Sequence, residues 1–179
     1  MGRTDDELFE AAHEVGREWY KLAHGATELS VLPGRRTRTD EAALEAFLVR
    51  DRALIHFVCG SRNGKRNDRD IQPRDFLDRN WWPDDEEIDR RLRGRLKVID
   101  FAVSRIGWDR VTDQTSGLWP TSALAWETSW ALTEFVQVLV AENRPVASTF
   151  AEAQRQAYAA LPPYEPPAMT DHPYAPRRR

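Results

Sequence analysis

The chain has 179 residues, 41% of them hydrophobic, and a formal net charge of −3 from 26 Lys and Arg against 29 Asp and Glu. That hydrophobic fraction supports a buried core and excludes a fully disordered chain. A single cysteine, Cys59, excludes an intramolecular disulfide and a cysteine-rich zinc site. No stretch approaches 18 apolar residues, the acidic start at residues 1–7 lacks the apolar segment of a signal peptide, and the four His lack metal-ligand spacing. We therefore expect a cytoplasmic protein without membrane, metal or cofactor.

The apolar spacing predicts helices and almost no strand. Thr4 or Asp5 can cap a first helix that runs to about Leu29. Its apolar positions recur every three or four residues, at Leu8, Ala12, Val15, Trp19 and Leu22. A second helix runs from Glu41 to about Cys59 and ends at Gly60. Its core face is formed by Leu44, Phe47, Leu48, Ile55 and Val58.

A short helical turn over Pro73–Asn80 precedes a third long helix, which has Pro83 in its first turn and runs to about Ile106. This helix has the clearest periodic stripe of the chain, at Ile88, Leu92, Leu96, Ile99, Val103 and Ile106. Such a stripe favours packing in an antiparallel bundle.

A fourth long helix opens at Pro120 or Thr121 and runs through about Glu142. The capping-box pattern Thr149-x-x-Glu152 predicts the start of a fifth, shorter helix that ends near Leu161. These elements predict an all-α fold, a four-to-five-helix antiparallel bundle with a short extra C-terminal helix. Residues 1–161 form its single domain, and the Pro-rich residues 162–179 are an extended or disordered tail.

Two basic regions are candidates for RNA or phosphate binding. The loop after the second helix contains Arg62, Lys65 and Arg66. Its glycine spacing and the absence of a hydroxyl residue after the lysine exclude a Walker A motif, and a solvated turn is the alternative. Arg91 and Arg95 flank the stripe of the third helix, where they can reach a groove between helices. Ordinary ion pairs with the acidic residues before them are the alternative.

The second helix also carries a polar line beside its core face. At about 100° per residue, Glu45, Arg52 and His56 fall within roughly 40° of one another. A carboxylate, a guanidinium and an imidazole can perform general acid–base chemistry on a phosphodiester, with the arginine holding the phosphate. The three are therefore candidate catalytic residues. The alternative is a surface salt bridge beside a half-buried histidine.

The segment Leu44-Glu45-Ala46-Phe47-Leu48-Val49-Arg50-Asp51-Arg52-Ala53-Leu54-Ile55-His56-Phe57 resembles the second helix of small bacterial helical proteins related to HEPN domains. Glu45 and Arg52 match that pattern, and His56 stands where the family has an acidic residue. The order of the later elements is also similar, through Trp108-Asp109-Arg110 and Leu118-Trp119-Pro120, so that the resemblance covers about residues 5–145.

The resemblance implies a four-helix bundle of a kind that often dimerises. Many HEPN domains act as metal-independent ribonucleases in toxin–antitoxin and phage-defence systems, with an Arg-x4-6-His motif late in the bundle. By position that histidine is expected near Arg105, and the chain has no histidine between residues 57 and 171. Arginine is so abundant, with 23 residues, that the matching spacings of Arg17 to His24 and Arg50 to His56 are expected by chance.

Three functional hypotheses follow. The first is a HEPN-like protein of RNA handling or bacterial conflict with a degenerate nuclease motif. It binds RNA or a protein partner, such as an antitoxin or a nucleotidyltransferase, and forms a homodimer. The second is an active metal-independent ribonuclease that uses Glu45, Arg52 and His56. The third is a structural oligomerisation module without catalysis.

Overall fold

The computed structural model describes residues 3–30, 38–60, 70–104 and 119–164. Within these ranges the chain has no strand, which confirms the predicted all-α class. The described ranges contain six helices: α1 (Asp5–Ser30), α2 (Arg38–Cys59), α3 (Pro73–Leu77), α4 (Glu86–Ser104), α5 (Thr121–Ala141) and α6 (Ala147–Ala160). None of them combines the length and the apolar character that a membrane-spanning helix needs.

The ends of the first two helices follow local rules. Thr4 caps α1 through a reciprocal capping box: its amide donates to the carboxylate of Glu7 at 2.8 Å, and the Glu7 amide donates to its hydroxyl at 3.3 Å. Gly60 ends α2 with a left-handed φ of 55°, and its amide donates to the carbonyl of His56. Both ends were predicted from the sequence.

Three helix starts differ from the prediction. Helix α2 begins at Arg38 rather than at Glu41. Helix α4 begins at Glu86, three residues after Pro83, because the Asp85 carboxylate accepts the amide hydrogens of Glu87 and Ile88 and so acts as the cap. Helix α6 begins at Ala147 rather than at Thr149, and no side chain caps it.

The capping box predicted for α6 is therefore wrong. The carboxylate of Glu152 instead accepts hydrogen bonds from Arg155 and Gln156. A tight turn precedes α6, in which Asn143 has a φ of 52° and Val146 is buried. This turn sets the earlier start of the helix.

Helix α5 lies at the centre of the bundle and contacts each of α1, α2, α4 and α6. It carries no Lys or Arg, and its only charged residues are Glu127 and Glu134. Buried residues occur on all sides of its first turns, whereas Gln137 and Val140 near its end are exposed. Helices α1 and α2 run antiparallel, because Glu18 lies beside Arg50 and Gly25 lies beside Phe47. Helix α6 runs parallel to α1.

The core is continuous across the described helices. The predicted apolar faces of α1 and α2 are buried, apart from the partly buried Leu8. Four phenylalanines from α2, α3, α5 and α6 form an aromatic cluster dominated by edge-to-face contacts: Phe57, Phe76, Phe135 and Phe150. In α4, Leu92 and Ile99 are buried and Ile88 and Leu96 are partly buried. Ile106 of the predicted stripe lies outside the described residues.

The start of the predicted tail is part of this packing. Pro162 is buried, and Pro163 and Tyr164 continue along α5. Residues 165–179 lie outside the described ranges.

Candidate functional site

The polar line predicted on α2 lies on an exposed surface, and the structure brings two of its three members together. Arg52 and His56, one helical turn apart, are both exposed and close enough for the guanidinium to influence the imidazole. Glu45 is also exposed, but it lies two turns away, about 10 Å along the helix axis, and none of its contacts joins it to Arg52 or His56.

A carboxylate from another helix takes the place expected for Glu45. Asp100 of α4 accepts a hydrogen bond from Nε of Arg52 at 2.5 Å, and the two side chains are 43% and 47% exposed. Arg52 is thus bound in an ion pair between α2 and α4. Asp100 was not among the predicted site residues, although it follows directly on the buried Ile99 at the edge of the α4 stripe.

The imidazole of His56 is the titratable group of this surface. Partial desolvation lowers the pKa of His56, and the positive charge of Arg52 lowers it further. The carboxylates of Asp100 and Asp70 act in the opposite direction without reversing the shift. His56 is therefore mainly neutral at pH 7, with one ring nitrogen free to accept a proton.

Of the predicted phosphate-binding residues, some lie outside the described ranges, one lies at the surface and one is buried. Arg62, Lys65 and Arg66 lie outside the described residues. Arg91 is 46% exposed and bridges two carboxylates, Glu87 at 2.8 Å and Glu127 at 3.3 Å. It is available to a ligand only at the cost of those ion pairs.

Arg95 lies in the interior instead of in a groove, being 1% exposed. Its guanidinium contacts Asp51 of α2 at 3.2 Å and donates to the Glu127 carboxylate of α5 at 3.2 Å. It also donates to the Leu124 carbonyl and the Thr128 hydroxyl. An RNA phosphate has no access to this position while the bundle is folded.

The acceptor of this buried pair is Asp51, which is 0% exposed. Its Oδ1 accepts from the Thr128 hydroxyl at 2.6 Å, while its Oδ2 faces Nε of Arg95 without hydrogen-bond geometry. Burial raises the pKa of Asp51, and the positive charge of Arg95 only partly offsets that increase.

The sequence contains a signal for this network. Asp51 lies three residues after Leu48 and four after Phe47, at the centre of the apolar face of α2. A charge in the middle of a core stripe needs a buried partner, and Arg95 is that partner on the stripe of α4.

The remaining reactive groups do not form a catalytic arrangement. Burial raises the pKa of Cys59 to about 12, so that its thiol is not a nucleophile at neutral pH. No group of three or more His, Cys, Asp or Glu that could hold a metal ion occurs among the described residues.

Among the described residues, two concave surfaces have a volume of about 220 Å³ each. The first lies between α1 and α2 and is lined by Tyr20, Lys21, His24, Gly25, Glu28, Ala43, Ala46 and Arg50. The second lies between α4 and α5 and is lined by Asp85, Glu87, Ile88, Arg91, Glu127 and Trp130. Neither contains Glu45, Arg52 or His56.

Comparison of the chain with protein-family models, with curated proteins and with solved structures finds no match. The resemblance of α2 to HEPN-related proteins therefore remains a prediction from the residues.

Proposed function

We propose that this chain is a HEPN-like helical-bundle protein of bacterial RNA handling or conflict that acts by binding a protein partner and does not cleave RNA. The observation that carries the proposal is the state of its basic side chains. Eleven of them among the described residues, Arg52, Arg91 and Arg95 included, are already in ion pairs with carboxylates.

The charge distribution favours a protein over RNA as the partner of the helices. The described residues include 24 Asp and Glu but 15 Lys and Arg, a formal charge of −9. A nucleic-acid interface needs unpaired cations facing the phosphates, and acidic helices repel the phosphate backbone. The same helices are complementary to a protein with a basic face.

The geometry of the α2 surface supports the part of the proposal that excludes catalysis. The acid–base proposal requires Glu45 beside Arg52 and His56, and it requires an arginine free to hold a phosphate. Arg52 instead pairs with Asp100, and Glu45 stands two turns away.

RNA binding is the second candidate, and one observation favours it. The residues outside the described ranges carry 11 basic and 5 acidic side chains, a formal charge of +6, with Arg62, Lys65 and Arg66 among them. Under this reading the RNA contacts these basic residues, and binding weakens steeply with salt.

Cleavage is tested by incubating the full chain with labelled single-stranded and structured RNAs in a chelating buffer between pH 5 and 8. We expect no cleavage by the wild type, His56→Ala or Arg52→Ala. His24→Ala is the matched control, since it removes an exposed histidine from α1 instead of α2. Cleavage that is lost in His56→Ala and retained in His24→Ala would overturn the proposal in favour of the active ribonuclease.

Binding is tested by RNA gel shift at physiological salt and by light scattering over a wide range of protein concentration. We expect no stable RNA complex, and we expect the dimer that the HEPN resemblance implies. Tight RNA binding that disappears in an Arg62→Ala, Lys65→Ala and Arg66→Ala triple variant would favour the second candidate. A stable dimer that binds neither RNA nor a basic protein partner would favour a purely structural module.

A further inference from the structure

The first residues after α6 form a strap across the surface of α5. We use the name C-terminal strap for Leu161–Tyr164. At Leu161 the backbone has φ −67° and ψ 140°, which are the values of a polyproline II helix. The strap therefore approaches α5 in the conformation that proline favours in the unbound chain.

The backbone of the strap is recognised through its carbonyl groups. The indole Nε1 of Trp126 donates to the carbonyl of Pro162 at 2.8 Å, and the hydroxyl of Ser122 donates to the carbonyl of Pro163 at 3.0 Å. Since proline has no N–H, these carbonyls are the only backbone hydrogen-bonding groups that the two prolines offer, and both are satisfied.

Aromatic rings line the surface on which the strap lies. The ring of Tyr164 contacts those of Trp130 and Trp126 at centroid distances of 5.3 Å and 6.0 Å. Tyr158 meets Trp126 edge to face at 5.4 Å. We call the surface formed by Ser122, Trp126, Trp130 and Tyr158 the aromatic groove.

An aromatic-lined groove with a tryptophan N–H directed at a carbonyl is the general means by which proteins bind polyproline II segments. We propose that the aromatic groove is a binding site for a proline-rich Pro-Pro-Tyr segment of a partner protein. The C-terminal strap is the intramolecular occupant that such a segment replaces. The inference names a docking surface for the protein partner of the proposed function, but it does not depend on the HEPN resemblance.

The strap is held in a way that permits exchange. Pro163 and Tyr164 are exposed, with 43% of Tyr164 accessible, and only Pro162 is buried. The groove also continues: Trp130 forms one wall of the concave surface between α4 and α5. An incoming segment that displaces Tyr164 therefore finds space to extend toward Glu127 and Arg91.

The test uses the full chain and the synthetic peptide Leu-Pro-Pro-Tyr-Glu-Pro-Pro, which reproduces residues 161–167. Because the strap competes at a high effective concentration, we expect the wild type to bind the peptide weakly. A Pro162→Gly, Tyr164→Ala variant loosens the strap, and we expect its affinity to be at least about tenfold higher by calorimetric titration. The indole N–H resonance of Trp126 should shift as the peptide saturates this variant.

Three controls decide the interpretation. Adding Trp126→Phe to the loosened variant should abolish binding while circular dichroism shows that the fold is retained. A peptide with alanine in place of tyrosine should bind weakly to every variant. Phe9→Ala, which removes an exposed aromatic side chain from α1, should behave as the wild type.

The proposal is overturned if the loosened variant does not bind the peptide, or if Trp126→Phe leaves binding unchanged. Concentration-dependent dimers of the wild type that Trp126→Phe eliminates would assign the groove to a second copy of this chain, and so overturn the assignment to a different protein. The titration contains no RNA, so its failure leaves the cleavage and RNA-binding results unaffected.

Discussion

Among the described residues, two ion pairs connect α2 with α4, and they differ chiefly in their exposure. Asp51 of α2 pairs with Arg95 of α4 in the interior, and both residues are at most 1% exposed. Arg52, the next residue on α2, pairs with Asp100 of α4 at the surface.

The chemical groups are the same in the two pairs, but their surroundings give them different consequences. Water screens the outer pair and competes for both partners, so its contribution to stability is small. The inner pair is buried away from water and is stabilised by a few protein contacts. Removal of one partner therefore leaves a buried charge without water or a counter-ion. The inner pair therefore affects the stability of the folded bundle, whereas the outer pair affects the chemistry of its surface.

The largest expected effect is that of Arg95→Ala. This change leaves the buried Asp51 without its counter-ion and should lower the free energy of unfolding by about 3–5 kcal/mol. Denaturant titration followed by circular dichroism measures it. A loss below about 1 kcal/mol would make the two pairs equivalent and break the comparison.

A paired replacement sharpens that result. Asp51→Leu combined with Arg95→Met removes both charges and fills the space with apolar groups. We expect this double variant to be more stable than Arg95→Ala alone, because no unpaired charge remains at the α2–α4 contact. If the double variant is as unstable as Arg95→Ala, the loss of stability is caused by altered packing and not by an unpaired charge.

The pH dependence of stability separates burial from ion pairing at Asp51. Because burial raises the pKa of Asp51 in the folded state, the unfolded chain loses the proton first as pH rises. This group therefore makes the wild type less stable as pH increases from the ordinary range of an aspartate to its raised value. We expect Asp51→Asn, which does not titrate, to gain stability relative to the wild type across that window. A relative change of the opposite sign would mean that Arg95 outweighs desolvation.

The outer pair should give a much smaller change in stability. Arg52→Ala is expected to alter the free energy of unfolding by no more than about 1 kcal/mol, and less at high salt. The same denaturant titrations, performed at low and high salt, compare it directly with Arg95→Ala. A loss of several kcal/mol would show that Asp100 and Arg52 are coupled to the core.

The smallest effect concerns the charge of His56. Since Arg52 lowers and Asp100 raises the pKa of His56, Arg52→Ala should raise that pKa and Asp100→Asn should lower it. Nuclear magnetic resonance titration of the imidazole measures both shifts. Two variants with unchanged titration midpoints would mean that the pair does not control the protonation of His56.

Much of the fold could be predicted from the sequence because the relevant interactions are local. Helix periodicity located the core faces of α1 and α2, and the Thr4–Glu7 box and Gly60 set two helix ends within a few residues of chain. The start of α6 was mispredicted because a turn around Asn143, fixed by packing of Val146, prevailed over the Thr149 motif.

The sequence by itself determined which residues share a helical face, since 3.6 residues per turn act within one helix. Only the tertiary structure decided which faces meet. The meeting of α2 with α4 directs Arg95 into the core and pairs Arg52 with Asp100 in place of Glu45. After α6 the chain packs against Trp126 and Trp130, so that the first prolines of the predicted tail are part of the packed bundle. These contacts join residues that are 29 or more positions apart, and no periodicity within a helix specifies them.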